Sequence, residues 1–296
     1  MQPMPSLARS DIDAAITERL ATCAVDGAGS IVLLSGEAGI GKSTMARAAI
    51  DTARGGGHRT WMATARVIDQ ATAFSLFEGV RSGTGDPLLA VSLLVGAPSV
   101  DGEGFAPRAE VERVRATEEL LAQVEVHCQQ PMLLVLEDLH LADDASLDAS
   151  GRLAELTINH PLVLLLTHQS GHRRDGLDRL IEHLRGLAAS EFVVPPLSEV
   201  EVEELLPELC GGPPGAALQA RAQGAAGNPF LLEALATGLL EEGSLVTRDE
   251  LVDTENQAVP QSLVDAVGRQ LRRLGADVAE LLRAASVHGP VVDIDA

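Results

Sequence analysis

Two hydrophobic rhythms alternate along this chain. Residues 9–20 carry Ile12, Ile16 and Leu20 at helical spacing, which predicts an amphipathic helix. Residues 31–34 are apolar at every position, as in a strand buried on both faces. An alanine-rich helix is predicted over 43–54, stopped by Gly55, Gly56 and Gly57, and a second strand over 59–65 around Trp61. Residues 73–80 read as helix, and 96–107, rich in Gly, Pro and Asp, as a loop. From 108 to 128, Val111, Val114, Leu120, Leu121 and Val124 recur among charged residues, as in a helix covering a sheet. Residues 131–136 and 161–167 are again continuous apolar runs, and 191–194 is a fifth, shorter strand. Strands alternating with helices in this way give an α/β fold with a mostly parallel central sheet covered by helices.

From Pro195 and Pro196 onward the pattern is helical only, which places a boundary there. Ser198 and Glu201 form a capping-box signature ahead of Val202, Leu205, Leu206 and Leu209. Gly211, Gly212, Pro213 and Pro214 break the chain, and Gly227-Asn228-Pro229-Phe230 opens a helix running to Leu240. Helices are predicted again over 261–274 and 276–288. Residues 291–296 read as a strand with nothing after it to pair with, so a truncated product is expected.

The first chemical signal lies between strand 31–34 and the helix after it. Gly36-Glu37-Ala38-Gly39-Ile40-Gly41-Lys42-Ser43-Thr44 has the glycine spacing of a P-loop, in which backbone N–H groups wrap a phosphate and the following helix turns its N-terminus toward it. In that motif Lys42 reaches the β- and γ-phosphates and the Ser43 hydroxyl ligates magnesium. Lys42 is the only lysine among the 22 basic residues of the chain. Everywhere else the cation is a flat guanidinium; at the phosphate cradle it is a compact ammonium.

The second signal is Glu137-Asp138 at the tip of the apolar run 131–136. Carboxylates there sit at the crevice where open α/β sheets bind ligands. One can hold the magnesium shell and the other can orient the attacking water in phosphoryl transfer. Asp143, Asp144 and Asp148 follow at a predicted helix start, where capping and solubility account for them.

Composition narrows the partners. A formal net charge of −21 speaks against this segment gripping nucleic acid, and aromatics at 2% with no tyrosine leave little for base stacking. Cys23, Cys128 and Cys210 are too scattered for a metal site and are expected to be reduced thiols. With no signal peptide and no apolar run long enough to span a bilayer, no membrane role is expected and the cytoplasm is the expected location.

Taken together, the P-loop, Leu136-Glu137-Asp138-Leu139-His140-Leu141-Ala142-Asp143, Pro196-Leu197-Ser198 and Gly227-Asn228-Pro229-Phe230 resemble the nucleotide-binding region of the signal-transduction (STAND) ATPases, especially large ATP-binding regulators of the LuxR type. The resemblance implies a P-loop ATPase core over 1–196, an all-helical lid over 197–258 and the start of a winged-helix domain over 259–296. It implies ATP or ADP as ligand with Mg²⁺, Glu137 in the metal position and Asp138 in the catalytic one. Pro229 corresponds to the lid proline that touches adenine, and Arg9 to an arginine near the base, with Ala8 in place of the usual glycine. Leu141 stands where the family has Trp. Thr167-His168-Gln169 stands where the family often has Thr-Tyr-Arg, so Gln169 occupies the γ-phosphate-sensing position without a charge; Arg173 and Arg174 are the alternative sensors. The expected function is a slowly hydrolysing, nucleotide-dependent switch of a transcriptional regulator, with a regulatory ligand or protein as partner and nucleotide-dependent self-association. A motor or remodelling ATPase and a non-hydrolysing scaffold are the alternatives.

Overall fold

The computed structural model describes residues 7–67, 70, 72–78, 81–82, 105–172, 174–255, 258–273 and 280. The chain divides into two compact units. The first runs to Pro195 without Ala38–Gly41; the second takes in Ala38–Gly41 and the residues from Pro196 on.

In the first unit, α1 (Arg9–Asp26) buries Ile12, Ile16, Leu20 and Cys23 along one stripe and ends at Gly27, whose φ of 69° is a left-handed cap. β1 (Ser30–Gly36) leads through the P-loop into α2 (Lys42–Gly55), which buries Met45, Ala46, Ala49, Ile50 and Ala53. Then come β2 (Arg59–Thr64), α3 (Ser75–Glu78), β3 (Arg81–Ser82), α4 (Phe105–His127), β4 (Met132–Glu137), α5 (Asp144–Leu156), β5 (Leu162–Gln169), α6 (Asp175–Gly186) and β6 (Ser190–Val193). The sheet order is β3-β2-β4-β5-β1-β6. β2, β4, β5, β1 and β6 are mutually parallel, and β3 adds antiparallel to the outer edge of β2. Every residue of β4 is buried, which is why its sequence shows no alternation.

Two elements differ from expectation. The helix predicted over 73–80 starts later, as α3, because Phe74 takes a left-handed φ of 63° and its N–H is bound to the Asp143 carboxylate, so the helix begins after it; residues 79 and 80 lie outside the described residues. α4 begins at Phe105, inside the predicted loop 96–107, whose remainder lies outside the described residues.

The second unit holds α7 (Glu199–Cys210), α8 (Ala216–Gln223), α9 (Pro229–Glu241), β7 (Leu245–Arg248), β8 (Leu251–Thr254) and α10 (Gln261–Arg273). The capping box forms: Glu201 N donates to Ser198 Oγ at 3.3 Å, and Ser198 N to Glu201 Oε2 at 2.8 Å. Leu206, Ala222, Ala225 and Leu232 make one apolar cluster, and Cys210, Leu218, Leu235, Leu239 and Val252 another. The all-helical expectation for 197–258 is corrected here, since β7 and β8 form an antiparallel hairpin. Val246, Thr247, Val252 and Thr254 are β-branched, and Asp249 and Glu250 take the two left-handed conformations of a tight hairpin turn. Asp253 anchors the hairpin by accepting Leu218 N of α8 at 2.8 Å. Four-residue strands are too short for a period-2 signal to stand out. Of the region 259–296, the described residues hold α10; the predicted strand 291–296 and all but residue 280 of the predicted helix 276–288 lie outside them.

Candidate functional site

β1 delivers the chain to the P-loop at Gly36 and α2 takes over at Lys42, as a strand, loop and helix. Gly39 and Gly41 have φ of 75° and 100°, a region that residues with a Cβ avoid. Lys42 is 8% exposed, and its Nζ donates to Gly36 O at 2.9 Å and Glu37 O at 2.8 Å. Burial lowers the ammonium's pKa, while the charges of Asp138, Glu137 and Glu37 pull it back up. Ser43 follows on the first turn of α2, half-buried, and Thr44 is exposed.

Glu137 ends β4, 2% exposed. Its Oε2 accepts the Thr64 hydroxyl at 3.1 Å, whereas Oε1 is buried with no hydrogen-bond partner among the described residues. Asp138 has φ 57° and ψ 41°, a left-handed conformation uncommon outside glycine and characteristic of strained functional turns. It is held there by Thr167, whose Oγ1 accepts Asp138 N at 3.0 Å.

β5 lies between β4 and β1, with Thr167 beside Leu34 and Gln169 beside Gly36. Gln169 is therefore buried next to the first P-loop glycine, and Ser170 N donates to Gly36 O at 3.0 Å. Gln169 N donates to His140 Nδ1 at 3.3 Å. That nitrogen lies 4.0 Å from Asp138 Oδ1 but is already an acceptor, so in this tautomer it has no proton to share with Asp138. The topology thus gathers Gly36, Lys42, Glu137, Asp138 and Gln169 at the C-terminal edge of three adjacent strands.

The remaining expected residues have the following partners and places in the fold. Arg9 Nε donates to Pro195 O at 3.1 Å, within the first unit. Pro229 is the first residue of α9, with Asn228 as its cap. Arg174 is engaged: its Nη1 donates to Ala142 O at 2.7 Å and His140 O at 3.3 Å, and its Nη2 meets Asp144 Oδ1 at 3.0 Å. Arg173 lies outside the described residues.

Asp143 caps α5 through Ser146 N at 2.9 Å, but at 4% exposure it does not serve solubility. It also accepts Phe74 N, Ser75 N and both the Ser75 and Ser146 hydroxyls, which ties the segment before α3 to the turn after Asp138. Thr64 was not singled out from sequence, and Thr167 entered only as part of Thr167-His168-Gln169, with no role of its own; their partners follow from strand register.

Among the described residues no three His, Cys, Asp or Glu side chains form a metal site by themselves, and no helix is long and apolar enough to cross a membrane. The three cysteines are free and buried, with the Cys128 thiol pushed up to about 12 by burial. What the arrangement offers is an anion cradle with one buried ammonium and two carboxylates whose charges it feels.

The AAA ATPase domain family matches residues 7–166, more than half of the chain. A search of curated proteins finds no match. Among solved structures, the Aeropyrum pernix ORC2 protein in its ADPNP-ADP complexes is similar with a TM-score of 0.53 at 16% identity, over 91% of this chain and 71% of that one. Its ADP form gives 0.53 at 14% identity, over 90% and 70%. The replication initiator DnaA bound to AMPPCP and single-stranded DNA gives 0.50 at 14% identity, over 78% and 60%. At these identities the likeness is one of fold.

Proposed function

We propose that this chain, which belongs to the AAA ATPase domain family, is a magnesium-dependent ATP-binding switch that hydrolyses its nucleotide slowly. The observation that carries the reading is Glu137 Oε1. A carboxylate oxygen buried without a partner is costly unless a ligand completes it, and this one sits at the end of β4, where the charge of Glu137 is felt by the P-loop lysine. The residues present therefore fit a magnesium ion, with Ser43 and Glu137 as its protein-side holders. When bound, such an ion neutralises charge on the phosphate oxygens.

The chain's own groups supply the rest. Lys42 exchanges its two carbonyl partners for phosphate oxygens, a stronger charge-assisted contact. Asp138, set in place by Thr167, orients the water that attacks the γ-phosphorus in line, giving ADP and phosphate. Gln169 donates a hydrogen bond near the γ-phosphate but no charge, and this is the reason for slow turnover.

The finer reading, a regulator of the LuxR type, rests on the sequence motifs around Glu137 and Pro229. The related ORC2 and DnaA structures are nucleotide complexes, in keeping with an adenine nucleotide here. The charge of −21 goes with a chain that does not itself grip duplex DNA.

ATP binding and turnover of the purified chain, with and without magnesium, test the proposal. Binding that depends on Lys42, with turnover far below the common enzyme median of about 10 per second, is expected. Steady turnover stimulated by a polymer substrate favours a motor, and binding without any turnover a scaffold. Binding unaffected by Lys42→Ala overturns the site.

A further inference from the structure

The second unit contains both the P-loop tip and α9, and Asn228 joins them. It is 6% exposed. Its Oδ1 accepts Phe230 N at 3.1 Å, capping α9, while its Nδ2 donates to Ala38 O at 3.0 Å. Phe230 N also donates to Gly39 O at 3.3 Å, so two successive P-loop carbonyls, Ala38 and Gly39, are held by the first turn of α9.

Peptide geometry gives this a consequence. The peptide bonds of the described residues, the P-loop included, are trans, and in a trans peptide the C=O of one residue points opposite to the N–H of the next. Fixing Ala38 O and Gly39 O on the α9 side therefore turns the N–H groups of Gly39 and Ile40 to the opposite side. A P-loop needs its N–H groups turned outward to an anion and its carbonyls turned away, because a carbonyl oxygen repels phosphate. Close packing supports the fixing: a Cβ on Gly39 would lie 2.6 Å from Phe230 Cβ and 3.1 Å from Asn228 Oδ1.

We propose that Asn228 is a positioning residue for phosphate binding, its carboxamide holding the P-loop tip in the anion-ready conformation while it caps α9. This rests on the nucleotide reading above and adds a residue to it. The donor half and the capping half of Asn228 can be separated. Serine still caps a helix but is one bond shorter and does not reach Ala38 O. Ser198→Ala, which removes the cap of α7, is the control for general loosening of the same unit.

The test uses the full chain of 296 residues in two measurements. The ¹³C resonance of the Ala38 carbonyl without nucleotide reads the contact directly, because its oxygen is the acceptor; equilibrium titration with ATP and with ADP reads its effect on binding. Asn228→Ser is expected to shift the Ala38 carbonyl resonance upfield, as loss of its donor requires, and to weaken both nucleotides about tenfold, the scale of one buried hydrogen bond. Ser198→Ala is expected to change neither. An unchanged Ala38 carbonyl resonance in Asn228→Ser overturns the inference, as does a shifted resonance with unchanged affinity. Equal loss in Ser198→Ala overturns it too, by assigning the effect to helix stability. If the unaltered chain binds neither nucleotide, the nucleotide reading itself falls and the phosphate role with it. A failure confined to Asn228→Ser leaves that reading standing.

Discussion

Thr64 Oγ1 and Glu137 Oε2 share a 3.1 Å hydrogen bond between the C-terminal ends of two neighbouring parallel strands, the one hydrogen bond among the described residues to a carboxylate that is 2% exposed. The other oxygen, Oε1, remains without one among the described residues. The pairing follows from register, since Thr64 lies directly beside Glu137.

Thr64→Val keeps the shape and removes the hydroxyl, leaving both oxygens of Glu137 without a donor. The expected cost is about 1–3 kcal/mol of folding stability, the penalty for an unsatisfied buried acceptor. Urea unfolding measures it, and magnesium with ATP is expected to recover part of the loss. A variant as stable as the parent would show that Glu137 is not desolvated at this end.

Lys42 is the only side-chain amine of the chain. An amine-directed reagent is expected to modify Lys42 and the N-terminus alone, with Lys42 protected by ATP and magnesium; labelling unchanged at saturating ATP contradicts the cradle. Because burial lowers the pKa of this ammonium and a phosphate raises it again, nucleotide binding at alkaline pH is expected to take up a proton. Calorimetry in buffers of different ionisation heat detects that uptake, and Lys42→Arg, which stays charged, abolishes it.

Burial of His168 lowers its pKa below the ordinary 6.5, in spite of the backbone contact at Gln169 that favours the charged form. Between the lowered value and 6.5 the unfolded chain binds more protons than the folded one, so stability falls as pH falls through that window. His127 contributes with the same sign, through burial and then the Arg59 charge. Denaturant melts across this range should show a shallower acid slope for His168→Gln than for the parent.

Gly39→Ala and Gly57→Ala separate backbone strain from crowding. Both glycines have left-handed φ, 75° and 79°, but a Cβ at Gly57 meets nothing within 4 Å whereas one at Gly39 meets Phe230. Gly57→Ala is expected to cost about 1–2 kcal/mol for the conformation alone. Gly39→Ala is expected to cost about 1–3 kcal/mol more for the forced contact. Equal losses in thermal or urea unfolding would mean that the first turn of α9 gives way freely.

Gln169→Arg places a cation at the end of β5, where an arginine that stabilises the transferring phosphoryl group is worth about 10³ to 10⁵ in rate in other P-loop enzymes. A modest rise in single-turnover hydrolysis is expected, short of that range because the buried site was not shaped for a guanidinium. Arg174→Ala is expected to lower stability rather than turnover, since Arg174 is bound to Ala142 O and Asp144. Rapid parental turnover that collapses in Arg174→Ala would transfer the sensing role to that arginine.

The sequence by itself determined the local chemistry and the layered α/β pattern. An apolar run with no alternation, such as 131–136, reads as a strand covered on both faces because it is too short for a buried helix, and a glycine-spaced turn before a helix with the chain's single lysine reads as an anion cradle in its own residues. These are short-range facts, fixed by backbone sterics and by which side chains water rejects. Partnership was decided by the tertiary structure. Thr64 meets Glu137 and Thr167 meets Asp138 only because β2, β4 and β5 lie side by side in a particular register, which no spacing along the chain encodes. The hairpin Leu245–Thr254 needed Asp253 and α8 to hold strands too short to announce themselves. Gly39 reads in sequence as room for a phosphate; in the folded chain the atoms nearest its missing Cβ belong to Phe230 and Asn228, 190 residues or so along the chain. Such contacts depend on loop closure over long sequence separation, where the conformational entropy is offset only by the packing of the whole unit.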